Sequence, residues 1–519
     1  MSEERPSLVE YGIDDEPPLL ASLLLGAQHY LTMVGANIAV PLILAGALGI
    51  TDDPGLTARF VGTFFVASGI ATLAQTTVGN RYPIVQGAPF SLLAPALAVV
   101  AAASVVGGSP DWQSKLLFLQ GAIIAAAAAE VLIGYLGIVG RLRRYLSPVV
   151  VAPTVALIGL SLFSAPQITS PTQNWWLLLL TLGLIVLFSQ YLDDAHRAFS
   201  LFPVLLGVVT AWAVAALLST PLPGVGQLYA PGDAGHVDYG TVLQGDLVYA
   251  IYPLQWGLPR FEASFAVGMF AGVLASVVES FADYHAVARL SGVGAPSARR
   301  IDHGIGMEGL MTAFAGALGA CGCTSYSENI GAIGLTGVAS RYVIQVGAVL
   351  MLVVGFLGPF GRLIATIPDP IVGGLFVAMF GQIVAVGLSN LKYVDLDASR
   401  NLFVIGTALF VGLAVPAYMG DLATAERSGR EVFRAGLAAV PVVGPVLGTS
   451  AVAGTLYVIG STSMAVGGAV ALALDNTIEG TPEQRGLTAW AARAESDGEF
   501  RSVVDRVRDR TGGPPERAD

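Results

Sequence analysis

The sequence has little charge and almost no lysine. Only 12% of its 519 residues are charged, against about 25% in soluble domains, whereas 54% are hydrophobic. The only lysines are Lys115 and Lys392, and the formal net charge is −11. A nucleic-acid partner would require a basic face, which this composition does not supply. The scarcity of charge excludes an ordinary soluble domain and predicts a membrane protein.

Cysteine and the residue sets of enzymes are also scarce. Cys321 and Cys323 are separated by one residue, and no second Cys/His cluster is spaced to complete a zinc site. No nucleophile–base pair and no phosphate-binding loop stands out. We therefore expect neither an enzyme nor a cofactor or metal, and we interpret the two cysteines as small residues in a tight segment.

Apolar segments make up most of the chain, and most of them have about 20 residues, the length that spans a bilayer core. Fourteen such segments cover residues 19–45, 57–78, 83–106, 116–139, 148–163, 175–192, 199–218, 263–286, 305–320, 325–338, 342–360, 371–391, 402–419 and 444–474. The polar stretch 220–262 divides them seven and seven. Because seven is odd, the second set must insert upside down. The sequence predicts an all-α polytopic membrane protein of two inverted seven-segment repeats.

The arginines predict the orientation of these segments. If the N-terminus is inside, the inner loops hold most arginines, including Arg81, Arg289 and Arg300, and the short outer loops hold few. Residues 1–18 are acidic and polar, with no basic region ahead of a short apolar core, so no signal peptide is expected. We predict a cytoplasmic tail at 1–18, a transporter domain at 19–474 and a cytoplasmic tail at 475–519, in a multi-pass protein of the cell membrane.

Two apolar segments are interrupted at matching positions of the two halves. The third segment contains Pro83, Gly87 and Pro89, which make a poor continuous helix. The tenth opens with small polar residues at 321–327 and becomes helical near Glu328. Such pairs of interrupted segments indicate a binding site at the membrane midplane, unless both are simple kinks. Two short strands meeting there would leave two half-helix N-termini directed at a ligand.

The eighth segment carries two acids, Glu279 and Asp283, four residues apart and therefore on one helix face. Acids inside a membrane helix are costly unless they meet protons, cations or polar partners, so both are site candidates. Asp283 could alternatively be a solvated or arginine-paired helix end. The first segment carries Gln28 and His29; a buried histidine is often a satisfied core residue, but it can also relay protons.

Two further acids are weaker candidates. Glu130 lies in the middle of the fourth segment, after five alanines. We expect it to bond to a neighbouring helix or to face the cavity indirectly, with a proton relay as the alternative. Glu308 lies near the start of the ninth segment, and we interpret it mainly as a structural acid at a helix end.

These motifs together resemble the nucleobase–ascorbate transporter family, also called the nucleobase:cation symporter-2 family. Gln28-His29 resembles the family's first-helix pair, and the stretch from Glu279 to Tyr284 resembles its eighth-helix acidic motif. The stretch from Glu328 to Gly331 resembles the signature of the tenth segment. The resemblance extends from about residue 19 to 474.

The resemblance implies a core of segments 1–4 and 8–11 and a gate of segments 5–7 and 12–14, often forming a homodimer, with elevator-like transport. Family members carry uracil, xanthine, uric acid or ascorbate, coupled to protons or, in the ascorbate branch, to sodium. Glu328 resembles the uracil carriers, whereas Asp283 resembles the purine and ascorbate carriers. The substrate within the family therefore stays open.

From the chemistry of a nucleobase we expect Glu279 and Glu328 to accept its N–H groups and backbone amides near Phe90 and Ser327 to donate to its carbonyls. Phe90 can supply a ring face, and the resemblance adds Asn329 to the substrate-binding set. The residues expected for proton coupling or support of the site are His29, Gln28 and Asp283. We expect proton-coupled import of uracil or xanthine; the alternatives are a sodium-coupled ascorbate-like carrier and an inorganic anion carrier, against which the site acids count.

Overall fold

The computed structural model describes residues 9–106, 111–139, 145–163, 165–170, 174–196, 198–199, 202–221, 226–424, 427–488, 500, 502 and 505–506. In the first half the helices are α1 (Leu19–Leu48), α2 (Pro54–Thr77), α3 (Phe90–Val106), α4 (Trp112–Tyr135), α5 (Pro148–Ser161), α6 (Pro166–Thr169), α7 (Trp175–Val186) and α8 (Pro203–Leu218). In the second half they are α9 (Ala263–Leu290), α10 (Ala298–Leu318), α11 (Ser327–Thr336), α12 (Arg341–Phe356), α13 (Gly358–Ala365), α14 (Asp369–Ser389), α15 (Ser399–Asp421), α16 (Gly429–Ala438), α17 (Gly444–Leu447), α18 (Ser450–Gly460) and α19 (Ser463–Thr477).

Several of these helices have the length and composition of membrane spans. Six qualify singly within the described residues: α1, α2, α4, α9, α15 and the continuous run Asp369–Tyr393 that contains α14. Helices α18 and α19, which meet at 91°, would add a seventh as one broken span. Shorter apolar helices include α3, α5, α7, α8 and α12. The helical, multi-pass membrane class is confirmed, and the number of fourteen segments stays a prediction.

Both interrupted segments contain a short strand followed at once by a helix. Strand β1 (Gln86–Gly87) pairs antiparallel with β2 (Thr324–Ser325), with Gln86 opposite Ser325 and Gly87 opposite Thr324. Helix α3 begins three residues after β1, and α11 begins two residues after β2, one residue before the start expected from the sequence. The antiparallel pairing therefore places the N-termini of α3 and α11 at opposite ends of the strand pair, where their first backbone N–H groups lack helical partners.

The pair of strands β1 and β2, called the strand crossing below, requires a glycine and is held in place by hydrogen bonds to α1 and α2. A β-carbon on Gly87 would overlap the ring of Tyr326, whose hydroxyl donates to the carbonyl of Ala88 at 2.8 Å. The backbone N–H of Ala88 donates to Asn37 Oδ1 of α1 at 3.1 Å, and that of Gln86 donates to the Thr72 hydroxyl of α2 at 2.9 Å. These bonds satisfy irregular backbone inside the protein, as membrane depth demands.

Glycines bring the surrounding helices close together. Gly26 of α1 lies against Gly347 of α12, and Gly134 of α4 lies against Gly306 of α10. A β-carbon on Gly26 would lie 2.8 Å from the facing backbone nitrogen, and one on Gly134 would overlap its neighbour. Close backbone approach through small residues is typical of helix packing in membranes, where burying apolar surface gives little driving force.

The N-terminal segment, residues 9–15, lies alongside the link between α11 and α12. Tyr11 forms a parallel bridge with Val338, and its carbonyl accepts from the N–H of Ala339 at 2.9 Å. Asp14 binds Arg341 at 2.5 Å and Arg81 at 3.4 Å. One carboxylate therefore joins the residues just before β1 to those just after α11.

Candidate functional site

Asp283, which belongs to α9, contacts the start of α11. It is 5% exposed, and its two oxygens accept from the Ser327 hydroxyl at 2.6 Å and from the Ser325 hydroxyl at 2.7 Å. Ser325 belongs to β2 and Ser327 is the first residue of α11. Asp283 is thus a buried carboxyl directed at the strand crossing rather than a solvated helix end.

The other two predicted acids also belong to the elements that meet there. Glu279 lies one turn before Asp283 on α9 and is half-buried. Glu328 is the second residue of α11, so its backbone stands at the helix N-terminus; its side chain lies outside the described part of the structure. A carboxylate at such a helix start is favoured by the helix dipole.

Asn329 and His29 are brought together from α11 and α1. The Asn329 side-chain amide donates to the carbonyl of His29 at 2.8 Å and lies 3.5 Å from its Nδ1. Both residues are buried. Within the described residues, Asn329 Oδ1 and Gln28 Nε2 are buried without a hydrogen-bond partner. Buried polar atoms of this kind are normally satisfied, so a ligand that pairs with them would gain affinity.

Phe90 is the first residue of α3 and points across to α14. Its ring meets that of Phe380 edge-on, with centroids 5.9 Å apart, and Phe380 stacks on Phe376 at 5.3 Å. Next to it, the Ser91 hydroxyl and both polar atoms of the Gln86 side chain are buried without partners in the described residues. Reasoning from the sequence missed Ser91 and Gln86, although the interrupted third segment that contains them was itself a signal.

A cavity of about 450 Å³ lies next to α11. Its walls include Thr32 of α1 and Gly331 of α11, one turn or less from His29 and Asn329. On the other side are residues of α7, α8 and α14, among them Val204 and Gln382. Small-molecule sites have volumes of about 300–1,000 Å³, so this space suits a compact ligand.

Glu308 is the acid that the sequence interpretation misjudged. It is fully buried in the interior of α10 and not at a helix end, so that interpretation is wrong. Hydroxyls of α9 and β2 donate to it: Ser276 at 2.9 Å, Ser280 at 2.6 Å, Tyr284 at 3.2 Å and Thr324 at 3.2 Å. The signal was a stripe of hydroxyl residues at four-residue spacing on α9.

Glu130 of α4 is buried next to Glu308. The two carboxyls interact electrostatically, and Glu130 Oε1 has no hydrogen-bond partner among the described residues. The expected bond between Glu130 and a neighbouring helix is not seen for this oxygen.

The structure combines paired strands between two half-helix N-termini with acids at their junction and a neighbouring cavity, all inside apolar helices. This combination defines a polytopic membrane transporter. A family model described as "Permease family" (Xan_ur_permease) matches residues 20–420, most of the chain. The chain belongs to the nucleobase–ascorbate transporter (nucleobase:cation symporter-2) family, which confirms the resemblance. This is a family of membrane transporters, consistent with a protein that is not an enzyme.

Relatives and solved structures agree with this assignment. The chain is 39% identical to solute carrier family 23 member 2 of Rattus norvegicus, covering 92% of this chain and 76% of that protein. It is 32% identical to nucleobase-ascorbate transporter 12 of Arabidopsis thaliana, covering 93% and 72%. The transmembrane domain of the cyanobacterial bicarbonate transporter BicA matches with a TM-score of 0.52 at 16% identity, over 77% of this chain and 97% of that one. At that identity the likeness is one of fold.

Proposed function

We propose that the protein is a proton-coupled symporter that imports a nucleobase such as uracil or xanthine by an elevator-type mechanism. The observation that carries this proposal is the junction of α3, α11 and α9, where half-helix N–H groups and the Asp283 carboxyl come together around buried polar atoms. The membership of a nucleobase and ascorbate transporter family supports the same class of substrate.

A nucleobase is a planar ring whose edge alternates N–H donors and carbonyl acceptors. In our proposal Glu279 and Glu328 accept the N–H groups, and the first backbone N–H groups of α3 and α11 donate to the carbonyls. Phe90 offers a ring against which the base packs. Asn329, fixed on the His29 carbonyl by its amide N–H groups, has an oxygen available to accept a further N–H.

Coupling to protons follows from the cost of buried charge. A carboxylate without a partner in a low-dielectric site costs several kcal/mol. Protonation of a site acid and binding of a base that satisfies the acid are therefore energetically linked. Asp283, with hydroxyl donors on both oxygens, and His29, beside Asn329, are the groups we propose for this linkage. Gln28, next to His29, supports the site.

The elevator mechanism is proposed from the position of the cavity. It lies between α1 and α11 on one side and α7, α8 and α14 on the other. We propose that α1 and α11 move together with the rest of segments 1–4 and 8–11 as a core, past a gate of segments 5–7 and 12–14. Phe403 and Phe410 of α15 are exposed, and we assign this face of the gate to lipid or to a second copy in a homodimer.

A second candidate is a sodium-coupled carrier of an ascorbate-like substrate. It is favoured by Asp283, which resembles the purine and ascorbate carriers at this position, and by the 32% identity to nucleobase-ascorbate transporter 12. An inorganic anion carrier would share the fold of the bicarbonate transporter. The carboxyls at 279 and 283 oppose it, because a site for a small anion is stabilised by positive charge.

A competition panel separates these candidates. Cells expressing the chain take up labelled uracil or xanthine in the presence of excess unlabelled uracil, xanthine, hypoxanthine, ascorbate or sulfate. We expect one or more nucleobases to be carried and to compete, and ascorbate and sulfate to have little effect. Uptake of labelled ascorbate that nucleobases do not inhibit would replace the first candidate with the second.

A further inference from the structure

Two carboxyls are buried together where α4 packs on α10. Glu130 and Glu308 are each 1% exposed. Gly309, the residue after Glu308, lies so close to α4 that a β-carbon there would be 3.0 Å from Cβ of Glu130. The two acids interact electrostatically, and within the described ranges no salt bridge joins either of them to a basic side chain.

The two carboxyls have different surroundings. Both oxygens of Glu308 accept from hydroxyls, with Ser276 and Ser280 donating to Oε1 and Ser280 and Tyr284 reaching Oε2. Glu130 follows a run of alanines, and its Oε1 has no donor among the described residues. Donated hydrogen bonds stabilise an ionised carboxylate, and burial without them destabilises it.

We propose that Glu130 and Glu308 form a buried proton-binding site that holds one proton, which at neutral pH resides on Glu130 while Glu308 is ionised. Two carboxylates this close and without a base cannot both ionise at ordinary cost. The hydroxyl donors select Glu308 as the anion, so environment alone gives two identical side chains different roles.

The other titratable groups facing this site do not remove the need for a proton. Tyr284 and Asp283 approach from α9, and Cys323 approaches from the stretch before β2. Tyrosine and cysteine are ordinarily neutral at physiological pH, and Asp283 adds negative rather than positive charge. Gln75 of α2, which donates to the Tyr284 hydroxyl at 2.7 Å, is uncharged.

A chain of hydroxyls joins the proton site to the strand crossing. The Ser280 hydroxyl donates to Glu308 and lies 2.8 Å from the Ser325 hydroxyl. The Ser325 hydroxyl in turn donates to Asp283 at 2.7 Å. The relay begins when the shared proton of the pair moves from Glu130 to Glu308. The Glu308 proton then passes to Ser280, the Ser280 proton passes to Ser325, and the Ser325 proton passes to Asp283. The net change is one proton moved from the pair to Asp283, with both hydroxyls regenerated. This consequence rests on the proposed function, whereas the proton site does not.

Infrared spectroscopy of the purified protein tests the assignment without substrate or gradient. At neutral pH exposed carboxyls are ionised, so the carbonyl stretch of a protonated carboxyl reports buried acids. We expect such a band in the native chain, its loss or reduction in Glu130→Gln and its retention in Glu308→Gln. Glu483→Gln, in the exposed tail, is the control and must match the native spectrum.

The outcomes are decisive in either direction. A native chain without the band, a Glu130→Gln spectrum equal to the native one, or loss of the band in Glu308→Gln alone would overturn the assignment. If Glu130→Gln does not fold, Glu130→Asp keeps the acid and must retain the band at a shifted frequency; an unshifted band places the proton elsewhere. Because no transport is measured, failure here is separate from failure of the nucleobase proposal.

Discussion

At the residue scale, Glu279 is the acid whose substitution we expect to impair transport most. It is half-buried on α9, one turn from Asp283. We expect Glu279→Gln to abolish nucleobase uptake while the protein still inserts and purifies normally, because the amide replaces a pure acceptor with a group that also donates. The measurement is initial uptake at equal surface expression, with Glu483→Gln as control. Near-normal uptake by Glu279→Gln would remove it from the substrate site.

Glu328 is expected to matter less than Glu279. It stands at the start of α11, where the helix field, about 0.3–1 kcal/mol and more when partly buried, helps to keep its carboxylate ionised. Glu328→Gln should fold and bind more weakly or with an altered preference, and it should lose less activity than Glu279→Gln. The inhibition constants of uracil, xanthine and hypoxanthine are compared between the variant and the native chain. An unchanged ranking and affinity would show that Glu328 does not touch the base.

Individual residues also show how far the sequence leads. The spacing of Glu279 and Asp283, and the breaks around Pro83 and Cys321, predicted where acids and irregular backbone would meet. The hydroxyl stripe on α9 was a signal for buried donors, but their pairing with Glu308 could not be predicted, because they lie 16 to 32 residues away along the chain and only packing of α10 on α9 and β2 unites them. From the sequence alone, Glu308 was interpreted as an acid at a helix end.

At the scale of elements, the crossing of β1 and β2 depends on Gly87. A β-carbon there would enter the ring of Tyr326. We expect Gly87→Ala to lower the melting temperature of the detergent-solubilised protein, with a cost of about 1–3 kcal/mol or more, because the site is fully packed. Gly406→Ala is the control, since a β-carbon at that position of α15 meets no atom within 4 Å. Equal melting temperatures for the two variants would contradict the close approach.

The N-terminal segment is an element that the sequence showed only as an acidic tail. Partial burial by itself raises the pKa of Asp14, but the hydrogen bond and charge of Arg341, with the charges of Arg81 and Arg300, outweigh it and hold the pKa below its usual value. A carboxyl with a lowered folded-state pKa stabilises the docked segment above its unfolded pKa. That contribution is lost as the pH falls through the folded value.

We therefore expect Asp14→Asn to speed hydrogen exchange of the backbone N–H groups of Ala339 and Arg341, which donate to residues 11 and 13. The effect should be below about 1 kcal/mol, because the Asp14 side chain is 68% exposed and such pairs are weak. After correction for the pH dependence of intrinsic exchange, acid should lower the protection of these N–H groups in the native chain and change it less in Asp14→Asn. Glu16→Gln, at an exposed neighbouring position, is the control. Equal exchange in both variants would show that the Asp14 contacts with Arg341 and Arg81 do not hold the segment in place.

At the scale of the whole molecule, the fold does not determine the chemistry of the site. The chain shares its fold with a bicarbonate transporter at 16% identity, so the architecture does not select the substrate. The number of segments, counted from apolar runs, stays a prediction. Which helices face the cavity depends on packing between residues far apart in sequence, such as Thr32, Gly331 and Gln382. We propose that selectivity lies in the side chains at the junction of α3, α9 and α11.

Proton-driven accumulation is the central claim, and uptake into proteoliposomes tests it directly. Purified protein is reconstituted, and labelled uracil or xanthine uptake is measured with an inward proton gradient, with an inward sodium gradient at equal pH, and with neither. We expect accumulation above equilibrium with the proton gradient alone, abolished by a protonophore and by Glu279→Gln. Accumulation that requires sodium and persists with the protonophore would contradict it.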